Sequence, residues 1–362
     1  MYFIGLMSGT SLDGIDAALV HFGASGDIAL NGFCHTPYSP ALTTTLQQTN
    51  AHTPLAEALS VDAHLADSYA KAVAALLQQT NTTPEAINAI GLHGQTVWHA
   101  PNQHPPISCQ LGDPSRLAER TGITVVADFR QRDLAAGGQG APLAPLFHSA
   151  LFGAAHSRGV VNLGGIANLS VLAAGGKVVR GFDCGPANTL LDQWAMRHQQ
   201  QPFDANGAWA ASGKVDHALL ARLQTDGFFH QPAPKSTGPE HFNLAWLNAQ
   251  LTGKESAVDV QATLAALTAW GVSKAVQENG EGLTELIIGG GGARNTDLIT
   301  RIAQQLPNVN VINSDACGLP AEAIESVGFA WLARATLQRQ AFDLAAITGA
   351  KRPVILGGIY PA

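Results

Sequence analysis

The stretch Gly5-Leu-Met-Ser-Gly-Thr-Ser-Leu-Asp-Gly-Ile-Asp-Ala-Ala-Leu19 places a polar, glycine-containing turn between two short apolar runs. Residues alternate on both sides of the turn, which predicts a strand, a tight turn and a returning strand. Glycines let such a turn approach a phosphate, its hydroxyl and N–H groups can face that phosphate, and its carboxylate can hold a metal. A plain polar hairpin tip has the same composition, so this stretch alone leaves both interpretations open.

The composition is that of a globular α/β protein. With 362 residues, 46% of them hydrophobic and 13% charged, the chain is long enough for two domains of ordinary size. The formal net charge is −7 and no basic patch stands out, which argues against a nucleic-acid partner. The four cysteines are scattered without a CxxC pair, which fits a reducing cytosol and offers neither a disulfide framework nor a zinc site. We see no signal peptide or membrane span, and therefore expect a cytoplasmic protein with no membrane partner.

Two further glycine-containing turns follow predicted strands. The strand 158–162 leads into Leu163-Gly-Gly-Ile-Ala-Asn168 and a returning strand, so the opening pattern recurs and predicts two related halves. The strand 285–288 leads into Gly289-Gly-Gly-Gly-Ala-Arg-Asn295 and a helix, whose N-terminus favours an anion or a polar ribose. Each turn is also explained as a tight connection. Together they favour a nucleotide in a cleft between two domains, although none is a Walker loop, because no Gly-Lys-Ser/Thr is present at a strand-to-helix turn.

Three carboxylates stand in positions suited to chemistry. Asp183 ends a predicted strand just before Gly185-Pro186 and a helix, the place where open α/β sheets bind their ligands. We expect the nearby helix N-terminus to favour its ionised form, as a general base requires. An N-cap role is the alternative for Asp183, a turn role for Asp13, and a solvated helix face or intrahelical pair for Glu325.

Polar residues also follow two buried strands in the first half. His93, Gln95, Thr96 and His99 leave one strand, and their spacing fits hydrogen bonding to a polar ligand better than a zinc site. Arg130 and Arg132 follow the next strand. An arginine there can pair with a substrate carboxylate through two hydrogen bonds, whereas a surface salt bridge is the commoner role.

The combination of motifs resembles the anhydro-N-acetylmuramic acid kinase family over the whole chain, including the closing Arg352-Pro353 and Ile359-Tyr-Pro361. The motifs that carry this resemblance are Met7-Ser-Gly-Thr-Ser-Leu-Asp-Gly-Ile-Asp16, His93-Gly-Gln-Thr-Val-Trp-His99, Ala127-Asp-Phe-Arg130, Gly137-Gly-Gln-Gly-Ala-Pro-Leu143, Asn162-Leu-Gly-Gly-Ile-Ala-Asn168, Phe182-Asp-Cys-Gly-Pro186 and Gly290-Gly-Gly-Ala-Arg-Asn295.

The resemblance implies a two-domain ribonuclease H-like α/β fold of the hexokinase, actin and Hsp70 type, with a nucleotide cleft between the domains. We expect an N-terminal domain over 1–130, joined by a C-terminal tail of about 340–362, and a second domain over 131–340. The implied reaction uses ATP, Mg²⁺ and water to open 1,6-anhydro-N-acetylmuramic acid and phosphorylate its O6 during cell-wall recycling. The substrate is then a small anhydro amino sugar. The oligomeric state stays open, with a homodimer as one alternative.

The resemblance also implies roles for single residues. Asp183 matches the catalytic base. From the chemistry of the opening turn, we expect Asp13 to hold the magnesium directly or through a water molecule. His93, Thr96, Arg130 and Glu325 match substrate-binding positions, although the residues around Glu325 depart from the family's usual run. The expected ATP contacts are Gly9, Thr10, Ser11, Leu12, Asp13, Gly14, Ile15, Asp16, Asn162, Gly164, Gly165, Gly290, Gly291 and Asn295.

Two other functions compete with this one. An ordinary sugar kinase of the same fold would phosphorylate a hydroxyl without opening a ring. A nucleotide-gated binding protein in the Hsp70 manner would hydrolyse ATP slowly without any sugar chemistry. The sequence speaks against the latter, because no peptide-binding module follows the predicted nucleotide domains.

Overall fold

The computed structural model describes residues 1–9, 11–24 and 26–362. The chain divides into two compact units: Met1–Phe147 with Ala323–Ala362, and His148–Glu322. These limits differ from those expected from the sequence. The first segment of the first unit ends at Phe147, about 17 residues after the expected boundary at 130, and its second segment begins at Ala323 instead of near 340.

The secondary structure alternates strands and helices along the whole chain. The strands are β1 (Tyr2–Ser8), β2 (Gly14–Phe22), β3 (Ile28–Pro37), β4 (Ile87–Ala100), β5 (Ile107–Leu111), β6 (Val125–Ala127), β7 (Arg158–Leu163), β8 (Ile166–Leu172), β9 (Val178–Pro186), β10 (Glu285–Gly289), β11 (Asn310–Asn313) and β12 (Gly358–Tyr360). The helices are α1 (Pro40–Gln48), α2 (Leu55–Gln79), α3 (Pro114–Thr121), α4 (Phe129–Ala135), α5 (Ala144–Phe152), α6 (Asn188–Gln199), α7 (Ala208–Ser212), α8 (His217–Gln224), α9 (Leu244–Asn248), α10 (Ala257–Asn279), α11 (Thr296–Gln305) and α12 (Ile324–Leu337).

The two units share one sheet pattern, as the repeated hairpin in the sequence predicts. In the described part of the first unit, the sheet has the order β12-β6-β4-β1-β2-β3, with β5 paired to β4. The sheet of the second unit has the order β11-β10-β7-β8-β9. In both, three antiparallel strands come first in sequence, and parallel strands then add to the first of them. The parallel strands need the helical crossovers that the chain supplies between them.

Helix α12 belongs to the first unit because two glycines let it lie directly on the sheet. Gly5 and Gly91 are paired neighbours in β1 and β4. A Cβ at Gly5 would lie 1.7 Å from the Ser326 carbonyl oxygen, and one at Gly91 would lie 2.0 Å from that of Phe329. No other residue type fits so close an approach between a helix backbone and a strand. This packing returns the chain to the first unit at 323.

Helix α10 is the central helix of the second unit and is buried on most of its surface. Its apolar residues pack against β8 and β9 on one side and against α6 to α8 on the other. A helix that is apolar around most of its circumference is typical of a core helix in a large domain. In the residues that the structure describes, no helix is long and apolar enough to cross a membrane.

Candidate active site

The opening turn is confirmed as a hairpin connection between β1 and β2, but it is shorter than the predicted nucleotide-binding run 9–16. Leu12 donates its backbone N–H to the Gly9 carbonyl oxygen at 3.3 Å and has a φ of +56°. Ser11 donates its hydroxyl to Oδ1 of Asp13 at 2.6 Å, and both side chains are exposed. Thr10, one of the expected ATP contacts, lies outside the described residues. Among the described residues of the turn, the exposed polar side chains are therefore the Ser11 hydroxyl and the Asp13 carboxylate.

Gly14, Ile15 and Asp16 lie in β2 and not in the turn. Gly14 is needed for packing, since a Cβ there would lie 2.4 Å from the Thr36 carbonyl oxygen. The Ile15 side chain is fully buried in the core of the first unit. Oδ1 of Asp16 lies 2.8 Å from Nδ1 of His35. A direct ligand contact at Ile15 would have to come from its backbone.

The turn is tied to the strand that carries the predicted substrate residues. Gln95, buried in β4, donates its Nε2 to the Gly9 carbonyl oxygen at 3.1 Å, and Tyr38 donates its hydroxyl to Oε1 of Gln95 at 3.3 Å. Thr96, next in β4, accepts a hydrogen bond from Nε2 of Gln110 at 3.1 Å. Gln95 therefore couples the turn to the neighbourhood of Thr96. The sequence predicted a hydrogen bond from Gln95 to a ligand, whereas these two contacts are made within the protein.

His93 and Arg130 form one buried pair in the first unit. Nη2 of Arg130 donates to Nε2 of His93 at 2.9 Å, so the imidazole nitrogen must act as the acceptor. Burial, aided by the Arg130 charge, lowers the pKa of His93 to about 3, which keeps the ring neutral at physiological pH. Nη1 of Arg130 donates to the Gly140 carbonyl oxygen at 3.0 Å. Nε of Arg130 is buried and has no hydrogen-bond partner among the described residues.

Asp133 holds the glycine-rich loop that carries Gly140, and its role was not predicted from the sequence. Its fully buried carboxylate accepts the Gly140 N–H at 2.6 Å and the Thr348 hydroxyl at 2.6 Å. The close approach of Gly138 leaves no room for a Cβ, which would lie 2.3 Å from Oδ2 of Asp133. Asp133 thus fixes the carbonyl group to which Arg130 donates.

Glu325 lies in the first turn of α12 and shares an electrostatic environment with Arg130 and Asp16. Burial raises the pKa of its carboxyl to about 7, Asp16 adds to the rise, and the Arg130 charge opposes it. The alternative of a solvated helix face does not fit these surroundings. His93, Arg130, Glu325 and the opening turn all belong to the first unit.

The second and third glycine-containing turns meet in the second unit. Asn162 and Gly289 are paired in the parallel strands β7 and β10, so both turns leave the same sheet edge. A Cβ at Gly290 would lie 2.1 Å from Oδ1 of Asn162, and Asn188 donates its Nδ2 to the Leu163 carbonyl oxygen at 2.9 Å. The structure therefore brings together Asn162, Gly164, Gly165, Gly290 and Gly291.

Asn295 has a structural use that the sequence interpretation did not include. It is the N-cap of α11, and its side chain accepts the Leu298 N–H at 3.0 Å. The chain between Gly290 and Asn295 forms a short 3₁₀ turn before α11 begins. The cap satisfies one N–H group of the helix that was expected to face an anion.

Asp183 lies inside β9, opposite Asn168 of β8, and not at the strand end. The expectation that a helix N-terminus favours its ionised form is wrong. The first N–H groups at the start of α6 are used by the β7–β8 turn, where Gly165 accepts from Ala187 and Thr189. Burial instead raises the pKa of Asp183 to about 7, the N–H of Thr237 opposes this, and Glu240 adds to it.

The segment 235–241 covers Asp183 and was missed by sequence reasoning. The Lys235 carbonyl oxygen accepts the Asp183 N–H at 2.9 Å, and Thr237 donates its N–H to Oδ2 of Asp183 at 2.9 Å. Nδ1 of His241 lies 3.4 Å from the Thr237 hydroxyl, and its Nε2 lies 3.1 Å from Oδ2 of Asp226. The polar run Lys235-Ser-Thr-Gly-Pro-Glu-His241 was the available signal, but no local pattern shows that it returns to β9.

The whole chain matches one known protein family. The family model described as anhydro-N-acetylmuramic acid kinase matches residues 1–362. The chain belongs to the anhydro-N-acetylmuramic acid kinase family. It is 50% identical to the protein of that name from Chromohalobacter salexigens and 49% identical to the one from Variovorax paradoxus, with 99% of each chain covered in both comparisons.

Solved structures similar to this chain show its fold alone, because sequence identity to them is low. The activator of the 2-hydroxyisocaproyl-CoA dehydratase from Clostridium difficile, with bound ADPNP, gives a TM-score of 0.51 at 13% identity, covering 91% of this chain and 93% of that one. The (R)-2-hydroxyglutaryl-CoA dehydratase component A from Acidaminococcus fermentans gives 0.50 at 10% identity, covering 91% and 96%. The predicted family and fold class, an α/β ATPase fold of the actin and hexokinase type, are confirmed.

Membership of the anhydro-N-acetylmuramic acid kinase family makes the protein a phosphotransferase with an alcohol group as acceptor. It uses ATP on a small sugar, and its role lies in cell-wall recycling. The roles of single residues stay predictions.

Proposed function

We propose that the enzyme uses ATP and one water molecule to convert 1,6-anhydro-N-acetylmuramic acid to N-acetylmuramic acid 6-phosphate and ADP. The family match over the whole chain supports this substrate. The observation that carries the ring-opening step is Asp183, a carboxylate whose surroundings raise its pKa to about 7 and whose Oδ2 is held by Thr237. A base of this strength matches its task near neutral pH.

In the proposed reaction, Asp183 takes a proton from water as the water oxygen forms a bond to the anomeric carbon. The bond from that carbon to O6 breaks, and O6 forms a bond to the γ-phosphorus while the bond to the β-phosphate oxygen breaks. The Thr237 N–H fixes one carboxylate oxygen, which leaves the other to accept the proton. The proton on Asp183 then returns to solvent.

Arg130 is proposed to bind the lactyl carboxylate of the sugar. Its two terminal nitrogens already donate to Gly140 and to His93, which orients the guanidinium plane. The buried Nε is the donor that no described residue uses. A carboxylate would satisfy this group, whose burial without a partner otherwise costs free energy. His93, Thr96 and Glu325 are proposed to complete the sugar-binding side of the first unit.

The opening turn is proposed to bind the ATP phosphates through Gly9, Ser11 and Leu12, and through Thr10. The other proposed ATP contacts are Asp13, Gly14, Ile15, Asp16, Asn162, Gly164, Gly165, Gly290, Gly291 and Asn295.

Mg²⁺ is proposed to accompany ATP. No group of three or more His, Cys, Asp or Glu side chains in the described residues is arranged to hold a metal. That finding fits an ion held mainly by phosphate oxygens and water, with one carboxylate from the protein. Asp13 is the residue proposed for this contact, because its side chain is exposed in the turn and only its Oδ1 accepts from Ser11. Bound there, the ion would neutralise phosphate charge.

We also propose a cytoplasmic location, which the four free cysteines support. A homodimer is the oligomeric proposal, and light scattering would test it.

Isotope-labelled water tests the ring-opening reaction. We expect ¹⁸O from water at the anomeric carbon of the product, and the bridging oxygen of the 6-phosphate to come from the sugar. A control without ATP should show no label in recovered substrate. A phosphorylated product that lacks the label at the anomeric carbon would instead indicate an ordinary sugar kinase.

A further inference from the structure

A cavity of about 170 Å³ lies within the second unit, between β9, α10 and the chain segment 231–235. Its volume would hold about six water molecules. Phe182 and Phe229 give it an apolar wall. Its charged lining consists of Arg180, Lys235, Lys274 and Glu278.

The charges around this cavity do not balance, because three cations face one carboxylate. Lys274 pairs with Glu278 on α10. Arg180 donates Nη1 to Oδ1 of Asn279 at 2.7 Å, and an amide oxygen does not neutralise its charge. Lys235 donates Nζ to the Phe228 carbonyl oxygen at 3.0 Å and lies over the Phe228 ring. Among the described residues, neither Arg180 nor Lys235 has a carboxylate at ion-pair distance.

We propose that this cavity binds a small phosphate-type dianion, the free ion or a small monoester, separately from ATP. Arg180 supplies a planar fork that suits phosphate oxygens, and Lys235 supplies a point charge. An ordinary apolar cavity would not gather three cations, whose partial burial carries a desolvation cost that a bound anion offsets.

The bound anion would act on the segment that covers Asp183. Successive residues of a strand point to opposite faces, so Phe182 and Cys184 line the cavity while the Asp183 side chain lies on the other face of β9. The Lys235 carbonyl oxygen accepts the Asp183 N–H, and Thr237 follows two residues later. An anion held between Arg180 on β9 and Lys235 on the segment therefore fastens segment 231–237 to the strand that carries Asp183.

Phosphate binding is tested by isothermal titration calorimetry. Inorganic phosphate is titrated into the full-length enzyme, with excess ADPNP present to fill the ATP site. The double variant Arg180→Gln/Lys235→Gln removes both proposed ligands and should bind at least about tenfold more weakly than the wild type. Lys177→Gln, at an exposed lysine just before β9, removes a charge away from the cavity and should bind like the wild type.

Hydrogen–deuterium exchange supplies the second readout. Phosphate should slow amide exchange over 231–237 in the wild type and in Lys177→Gln but not in the double variant. Thermal unfolding shows whether the double variant is folded. If the double variant is unfolded, Arg180→Lys replaces it in the comparison, and because this variant keeps the charge it should retain part of the protection that phosphate gives to the amides of 231–237.

No phosphate binding to the wild type, equal binding to the double variant, or equal weakening in Lys177→Gln would overturn the proposal. Neither readout involves sugar turnover. Failure here therefore leaves the proposed function intact, and failure of the isotope experiment leaves this site intact.

Discussion

Thr237 donates its backbone N–H to Oδ2 of Asp183 at 2.9 Å, although the two residues are 54 positions apart in the chain. The contact does two things at once. It fixes the direction of the carboxylate, and it favours the ionised form against the burial that raises the pKa to about 7. The proton affinity of Asp183 is therefore set by a balance between its surroundings and a single segment of main chain.

Asp183→Asn should abolish sugar-dependent ATP consumption, with kcat lowered by at least about 10²–10⁴-fold, because an amide cannot take the proton from water. The substitution keeps an oxygen that can accept from Thr237, so the fold and ATP binding should stay nearly intact. A coupled ADP assay and nucleotide titration measure the two effects.

Asp192→Asn is the matched control for that variant. Asp192 lies in α6 of the same unit, and burial raises the pKa of its carboxyl to about 7 as well. It has no proposed role, so its amide variant should keep nearly full activity. Substantial activity in Asp183→Asn would show that the base is another group.

The pH dependence of kcat/KM should follow the ionisation of Asp183. A base with a raised pKa of about 7 is ionised above that pH and protonated below it. The value of kcat/KM should therefore fall about tenfold for each pH unit below about pH 7. Burial also raises the pKa of Glu325 to about 7. The profile of Glu325→Gln separates them, since the acid limb should persist in that variant. Its disappearance would assign the limb to Glu325.

The hairpins were predictable because their signals are local. Alternating residues around glycines at Gly9 and Gly164 predict strand, turn and strand without knowledge of the fold. The repeated hairpin also predicted two related halves, and both sheets have the same strand pattern. The motifs in their order were enough to indicate the family.

The surroundings of Asp183 were not predictable, because they depend on contacts between distant parts of the chain. No spacing rule brings Thr237 to Asp183, or the Thr348 hydroxyl to Asp133. The expected helix effect failed for the same reason, since the β7–β8 turn uses the N–H groups at the start of α6. Burial, which decides the pKa of Asp183, belongs to the folded chain and not to any short stretch.

Arg130→Ala should raise the KM for the acid-bearing sugar by about 10–100-fold, because a hydrogen bond to a charged group contributes about 1.5–3 kcal/mol. The effect on an analogue without the carboxylate should be much smaller. Steady-state kinetics with both sugars measure the difference. Arg132→Ala is the control, as this neighbouring arginine is exposed and should leave both KM values near the wild type. Equal losses for the two sugars in Arg130→Ala would give Arg130 another role.

His241→Ala should lower kcat by about tenfold while leaving the KM for ATP near its wild-type value. His241 contacts Asp226 through Nε2 and lies 3.4 Å from the Thr237 hydroxyl through Nδ1, so its loss loosens the segment that donates to Asp183. A less firmly held carboxylate loses the hydrogen bond that lowers its pKa, and the acid limb of the pH profile should therefore move upward. His198→Ala, at an exposed histidine of α6, serves as control and should change neither quantity. An unchanged acid limb together with a lower kcat would mean that His241 acts on turnover without acting through Asp183.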